Sequence, residues 1–365
     1  MRAGYGKSLR NFFISKNPIM LIDLGPGIFK QATVDTNILL IEKSGNDKQL
    51  KAVTLKKTNG AAPDVAGYFK DNAVDLNNLS EESWFIGNDA EQKLKGKIEK
   101  IGKPLKDWDV KIYRGVLTGL NEAFIIDTAT KEKLCKEDPK NAEIIKPILR
   151  GRDIKRYSYE WAGLWLIATF PVLNINIEKY PSVKKHLLSY GKEKLEQSGT
   201  KLADGSISRK KTGNKWFETQ DQIGYYGEFK KEKIVWSDIA TEPIFTILPK
   251  DVYFNNTVYM VISENNKYLT AVLNSSIIKW YFPMIATDLG EHGQRFFKIF
   301  VEIMPVPEIS SKYKPIVSEI ESLVSTIVLK KEKKQNTLTE EKQIDKLVYK
   351  LYELTDEEIK IVEGG

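Results

Sequence analysis

Cysteine occurs once in this chain of 365 residues, at Cys135, and histidine twice, at His186 and His292. A lone thiol excludes an internal disulfide and fits a reducing cytoplasm, which is the expected location. One cysteine and two distant histidines do not build a zinc site of familiar spacing. Neither histidine falls in a catalytic constellation, and His186, within "PSVKKHLLSYGKEKLEQ", is expected on a helix surface. Long apolar runs are missing too. "WAGLWLIATFPVL", from Trp161, is broken by Pro171 and falls short of the roughly 20 residues that a membrane helix requires. "MRAGYGKSLRNFF" has no apolar core or cleavage site of a secretory leader.

What is there suits a globular protein of two or three domains, with 41% hydrophobic residues to fill their cores. The net charge of +7 is concentrated: residues 140–235 hold 19 Lys and Arg against 11 Asp and Glu, so the rest of the chain is close to neutral. A localised positive field interleaved with Trp, Tyr and Phe favours a polyanion partner; the plainer reading is a solvated lysine-rich face.

The expected fold is α+β. "IMLIDLGPGIFKQATVDTNILLIEK" reads as two β-branched strands around a Gly-Pro-Gly turn, with one more strand before a Gly/Ala/Pro-rich break near residue 60. "NDAEQKLKGKIEKIGKP" reads as a connector helix, with Asn88 or Asp89 as cap, Ala90, Leu94, Ile98 and Ile101 on one face, and Gly102 and Pro104 as the stop. The pattern then becomes strand-rich. "VKIYRGVLTGLNEAFIID" predicts a hairpin turning at Thr118-Gly119-Leu120-Asn121, "WAGLWLIATF" a buried strand, "EKIVWSDIA" and "EPIFTILP" two more, and "YLTAVLNSSIIKWYF" an amphipathic helix. Beyond Pro307, apolar positions Ile316, Ile320, Leu323 and Ile327, then Ile344, Leu347 and Leu351, predict an antiparallel helix pair. A short helix follows from the capping box Thr355 to Glu358.

"LIDLGPGIF" has the acid-then-Gly-x-Gly look of a nucleotide or S-adenosylmethionine loop, and Glu42 lies near the spacing of a ribose-binding acid. The third glycine position is unfilled, however, and "KQATVDTN" is a poor helix, too short for the crossover of a parallel unit. An antiparallel hairpin is the expectation. Pro63-Asp64 with Glu91-Gln-Lys93 fits a loose nuclease metal pattern, of a kind that arises freely in a chain with 29% charged residues.

A family resemblance covers nearly the whole chain. "YGKSLRNFFISKNPIMLIDLGPGIFKQATVDTNILLIEK" resembles the last part of the catalytic domain of the large adenine-specific DNA methyltransferases of restriction-modification systems, of the type IIG or BREX-like kind. "YRGVLTGLNEAFIID", "NAEIIKPILRGRDIKRY", "NKWFETQ", "EKIVWSDIA", "YLTAVLNSSIIKWYF" and "QRFFKIFVEIMPVP" resemble, in that order, their TaqI-like C-terminal specificity domain, and "QIDKLVYKLYELTDEEIKIVEG" their helical tail. The resemblance implies four segments. Residues 1–60 are the end of the catalytic domain, a remnant of an α/β methyltransferase sheet; 61–105 are a linker and connector helix. Residues 106–310 are the strand-rich target-recognition domain and 311–365 a C-terminal helical hairpin and tail.

The family's pocket needs an Asn/Asp-Pro-Pro-aromatic motif to hold a flipped adenine. This sequence has no Pro-Pro dipeptide, only Asn17-Pro18. No catalytic, cofactor-binding or metal-binding residue is therefore expected in this chain. S-adenosylmethionine is expected in a separate or missing methyltransferase half, and these residues alone are expected not to methylate. The implied partners are double-stranded DNA and that catalytic half, with no membrane. A protein-binding or inhibitory module that kept the fold without reading DNA is the alternative.

Two basic stretches are the candidates for DNA contact. "LRGRDIKRY" offers Arg150, Arg152, Lys155 and Arg156, whose forks suit phosphate or guanine; equally, Asp153 pairing with an Arg makes the stretch a structural turn. "SISRKKTGNKWFETQ" offers Arg209, Lys210, Lys211 and Lys215 on a loop expected to be flexible until it meets a phosphate backbone. Trp216 either stacks on a base or anchors that loop. Asn121 carries the amide that pairs with adenine, or serves turn geometry.

Overall fold

The computed structural model describes residues 6–26, 28–29, 35–55, 64–77, 79–81, 84–286, 289 and 293–364, and these form an α+β fold. The stretch Asn17–Pro26 pairs antiparallel with Asp35–Glu42, Leu21 opposite Leu39 and Ile22 opposite Ile38, so the expected hairpin is present. The backbone N–H of Gly25 donates to Asp23 Oδ1 at 3.0 Å, which gives the acid before the Gly-x-Gly a turn-forming task; Gly27 itself lies outside the described residues. Glu42 accepts from the Asn17 side chain at 3.2 Å. Leu50–Thr54 adds in parallel to the first strand, Val74–Leu76 follows antiparallel, and Asp35–Glu42 is left at one edge. Leu21, Leu50, Ala52, Leu76 and Trp84 fill this unit's own small core.

The connector helix spans Asp89–Ile101. Asn88 and Glu91 form a reciprocal capping box, Gly102 ends the helix, and Leu94 and Ile98 are its buried residues; Ala90, expected on the same face, is exposed. The chain then enters a central antiparallel sheet, in the order Phe245–Leu248, Lys233–Ser237, Val258–Ile262, Lys111–Arg114. This sheet is a partition. Because side chains alternate across a strand, Ile234 and Trp236, with Tyr259 and Val261, enter one large core, while Val235, Val258 and Met260 enter another. Both faces are covered, so "KIVW" reads as a continuous apolar run rather than an alternating one.

The second core is completed by a sheet in the order Tyr253–Phe254, Ile145–Leu149, Leu164–Ile167, Ile125–Asp127. The expected hairpin through Thr118 to Asn121 is therefore not formed: Lys111–Arg114 and Ile125–Asp127 belong to different sheets, and Asn121–Phe124 is a helical turn. Between them the chain crosses against the neighbouring backbone, Gly115 N–H donating to Val258 O and Val116 N–H to Phe254 O, both at 2.8 Å. A Cβ on Gly115 would sit 2.1 Å from Asn255 O, so this crossing requires glycine.

The first core is built from the C-terminal half. "YLTAVLNSSIIKWYF" forms two helices, Asn266–Asn274 and Ser276–Tyr281, divided where Ser275 caps the second. The first is buried almost all round, not amphipathic, because helices and sheet enclose it. Lys314–Glu332 and Leu338–Leu351 form the expected pair, with Lys330 bonded to Glu340 beside their turn, and Asp356–Glu363 follows from the Thr355 to Glu358 capping box. Leu94 and Ile98 of the connector share this core with Val317 and Ile320. The strand Gly102–Pro104 pairs with Pro305–Pro307. One core thus runs across the expected limits at residues 105 and 310.

Candidate nucleic-acid interface

The four cations of "LRGRDIKRY" have four different surroundings. Arg150 forks onto Asp153, Nε to Oδ2 at 3.0 Å and Nη2 to Oδ1 at 2.8 Å, and the backbone N–H of Arg150 donates to the same carboxylate. Burial works to raise the Asp153 pKa, but the hydrogen bonds from Arg150 and the charges of Arg150 and Arg152 outweigh it and hold the carboxyl below its usual range. Arg156 donates to Glu341 at 2.5 Å and to the Asn274 carbonyl, tying the turn to the C-terminal helices. Lys155 is exposed, reaches the Arg152 carbonyl at 2.9 Å and lies 3.9 Å from Glu160. Arg152 is exposed, with no hydrogen bond or ion pair to its side chain among the described residues. Arg150 and Arg156 thus each spend two of their five N–H groups on partners within the fold, the structural-turn alternative for this stretch.

Gly151 explains how Arg152 is held out. Its N–H donates to Thr257 Oγ1 at 2.9 Å, and a Cβ there would lie 2.6 Å from Ser237 Oγ. The turn is pressed against the ends of two central strands, so the backbone beneath Arg152 is rigid.

The second stretch is not a flexible loop. Arg209 is 4% exposed and spends all five N–H groups on backbone carbonyls: Nε and Nη2 on Leu195, Nη1 on Thr118 and Glu218, Nη2 also on Trp216, at 2.5–2.9 Å. Burial pushes its pKa down to about 10, still a cation at neutral pH. It pins the loop from inside, with every N–H group bonded within the fold. Lys215 lies over the Phe217 ring and 3.5 Å from Glu218. Trp216 meets Phe217 edge-on at 5.4 Å and packs half-buried against the second core, the anchoring role. Lys210 and Lys211 are exposed, with no ion pair among the described residues.

Arg209 also joins the two stretches. Thr118, whose carbonyl it holds, donates its hydroxyl to Asn121 Oδ1 at 2.7 Å. Asn121 in turn lines an open cleft of about 510 Å³ together with Arg150, Arg152, Ser237, Asp238 and Thr257. The structure therefore brings together Asn121 and Arg152, which are separated by thirty residues of chain. Asp238 was not singled out from sequence; the only hint is a carboxylate ending the apolar run "KIVWS". Burial raises its pKa, against the charges of Arg114 and Arg295 and the hydrogen bonds of its own and the Ile239 backbone N–H.

The other candidates have local explanations. Asp64 caps the helix Val65–Asn72, and Glu91 belongs to the capping box; Pro63 and His292 lie outside the described residues. Among the described residues no group of three or more His, Cys, Asp or Glu is placed to hold a metal ion, and no helix is long and apolar enough to cross a membrane. His186 is half-buried on the helix Pro181–Leu188, Nε2 lying 3.2 Å from the Ala123 carbonyl, rather than on an open surface.

Residues 146–306, which include the turn carrying Arg150 to Arg156 and the cleft's Asp238 and Thr257, match the model of the TaqI-like C-terminal specificity domain. The type II methyltransferase M.PaeR7I of Pseudomonas aeruginosa is 22% identical over 243 residues, 66% of this chain and 39% of that protein. The type IIL restriction-modification enzyme MmeI, solved in complex with DNA, shares the fold with a TM-score of 0.57 at 11% identity, over 96% of this chain and 45% of that one. The type IIG restriction endonuclease BpuSI aligns over the same shares with a TM-score of 0.41 and 11% identity. The chain spans less than half the length of each.

Proposed function

We propose that this chain is the target-recognition part of an adenine-specific DNA methyltransferase of a restriction-modification system. It selects a duplex sequence in the cytoplasm, while the catalytic motifs and the S-adenosylmethionine site belong to a part outside these residues. The observation that carries this reading is the match of residues 146–306 to the specificity domain. Of the candidate cations, Arg152, Lys210 and Lys211 are exposed and make no side-chain hydrogen bond or ion pair among the described residues, and they supply phosphate or base donors. An edge for the catalytic half also exists. Asp35–Glu42 ends its sheet, and Ile38 and Leu40 on it are 42% and 49% exposed, a surface that a neighbouring strand and helix would cover.

Duplex binding titrated across salt tests the reading. Three phosphate contacts give a slope of about −2 to −3 in log affinity against log salt. A slope near zero refutes it and leaves the protein-binding alternative. Dialysis against S-adenosylmethionine should find no binding by this chain alone; measurable binding contradicts the division of labour. With the catalytic half supplied, Ile38→Lys together with Leu40→Lys should abolish methylation while duplex binding persists.

A further inference from the structure

Resting on that reading, we infer that the cleft reads one G·C base pair, with Arg152 on the guanine edge and Asp238 on the cytosine amine. The major-groove edge of G·C presents two acceptors, guanine N7 and O6, beside one donor, the cytosine amino group. A reader needs a two-pronged donor and an acceptor, both with hydrogen-bonding capacity to spare and both held by a well-bonded backbone.

The cleft is lined by both members of that pair. The Arg152 guanidinium makes no hydrogen bond or ion pair among the described residues and feels only the charge of Asp153, whereas Arg150, two positions away, forks onto Asp153. The difference is built in: the Arg150 fork and the Gly151 contact with Thr257 fix the turn, so that Arg152 alone projects. Asp238 stands at the end of the strand Lys233–Ser237, its backbone held by N–H donation to Thr257 O at 2.8 Å and by Phe296 N–H donating to its carbonyl at 2.9 Å. Its carboxylate has no ion pair among the described residues, and only its own and the Ile239 backbone N–H groups bond to it. The charges of Arg114 and Arg295 offset part of its desolvation, and two backbone N–H groups leave the half-buried carboxylate with lone pairs that a ligand donor can fill. Thr257, whose hydroxyl receives the Gly151 N–H and whose carbonyl receives the Asp238 N–H, links the two readers, so their spacing is set by backbone rather than by flexible side chains. A phosphate is excluded as the occupant beside Asp238 by charge.

The test is selection from a randomised duplex pool by the full chain, wild type against Arg152→Ala, Arg152→Lys and Asp238→Ala. Neither side chain belongs to a hydrogen-bonded ion pair, so an unfolding midpoint close to wild type verifies that the variants are folded. The expected result is a wild-type consensus containing one G·C pair at which all three variants lose selectivity by about 5- to 150-fold, other positions unchanged. Arg152→Lys should keep wild-type affinity for random duplex, because the charge remains and the fork does not. Variants that return the wild-type consensus, or that weaken every sequence equally, overturn the inference and leave the recognition function standing. A wild type that selects no sequence removes that function as well.

Discussion

Arg209→Met separates a structural cation from a DNA ligand, two roles that sequence leaves equally open. The substitution removes the fork while nearly conserving length; the carbonyls of Leu195, Thr118 and Trp216 lose its N–H groups, and that of Glu218 keeps only the Gln197 side-chain amide at 3.0 Å. Each dry carbonyl costs about 1–3 kcal/mol. The sum is offset in part because a cation need no longer be buried, so the net loss is about 3–5 kcal/mol, the usual consequence of emptying a buried charged network. In a unit of this size that lowers the unfolding midpoint by about 10 °C. Arg209→Lys should fall between, since an ammonium has three donors for five acceptor contacts. Near-ultraviolet circular dichroism and tryptophan fluorescence, to which the half-buried Trp216 contributes, follow the transition. Below that transition, duplex affinity should match wild type within about twofold. A variant that melts with the wild type yet binds DNA tenfold more weakly would refute the reasoning, because it would place the guanidinium on the nucleic acid.

Other perturbations have calculable signs. Asp153 has a folded pKa below 3.8, so its contribution is complete above that value and is lost as pH falls through the folded one; in Asp153→Asn the denaturation midpoint should no longer carry this acid-side slope. Gly151→Ala forces a Cβ within 2.6 Å of Ser237 Oγ, costing about 1–3 kcal/mol by overpacking, and Ser237→Ala in the same chain should recover part of it in urea melts. Arg156→Ala leaves Glu341 with Lys331 at 3.6 Å and the Thr337 hydroxyl but unties it from the basic turn; a loss of about 1.5–3 kcal/mol, that of a charged hydrogen bond, and faster proteolysis within residues 333–337 are expected, with intact wild-type kinetics of cleavage refuting the tie. Gly115→Ala, where the clash is with the Asn255 carbonyl at 2.1 Å, should not fold to the native near-ultraviolet spectrum.

What the amino-acid order determined by itself is local. The helix from Asn88 was legible because a capping box and an i, i+4 stripe act within a few residues, and the hairpin around Gly25 because ten residues cannot form a crossover. The family resemblance was legible in "LRGRDIKRY" for the same reason: it is a contiguous block. Partnership between distant residues was not. Four cations in seven residues look alike in sequence; that Asp153 pairs with one of them was legible, but only the fold chooses Arg150, sets Glu341 against Arg156, 185 positions away, and leaves Arg152 exposed. Nor does any local pattern announce that Gly115 carries the chain from one sheet to another, or that Asp238 and Arg152 line one cleft. A side chain's charge is covalent and travels with the sequence, whereas its availability depends on which carbonyls and carboxylates the packed cores bring within 3 Å, and that is decided by tertiary structure.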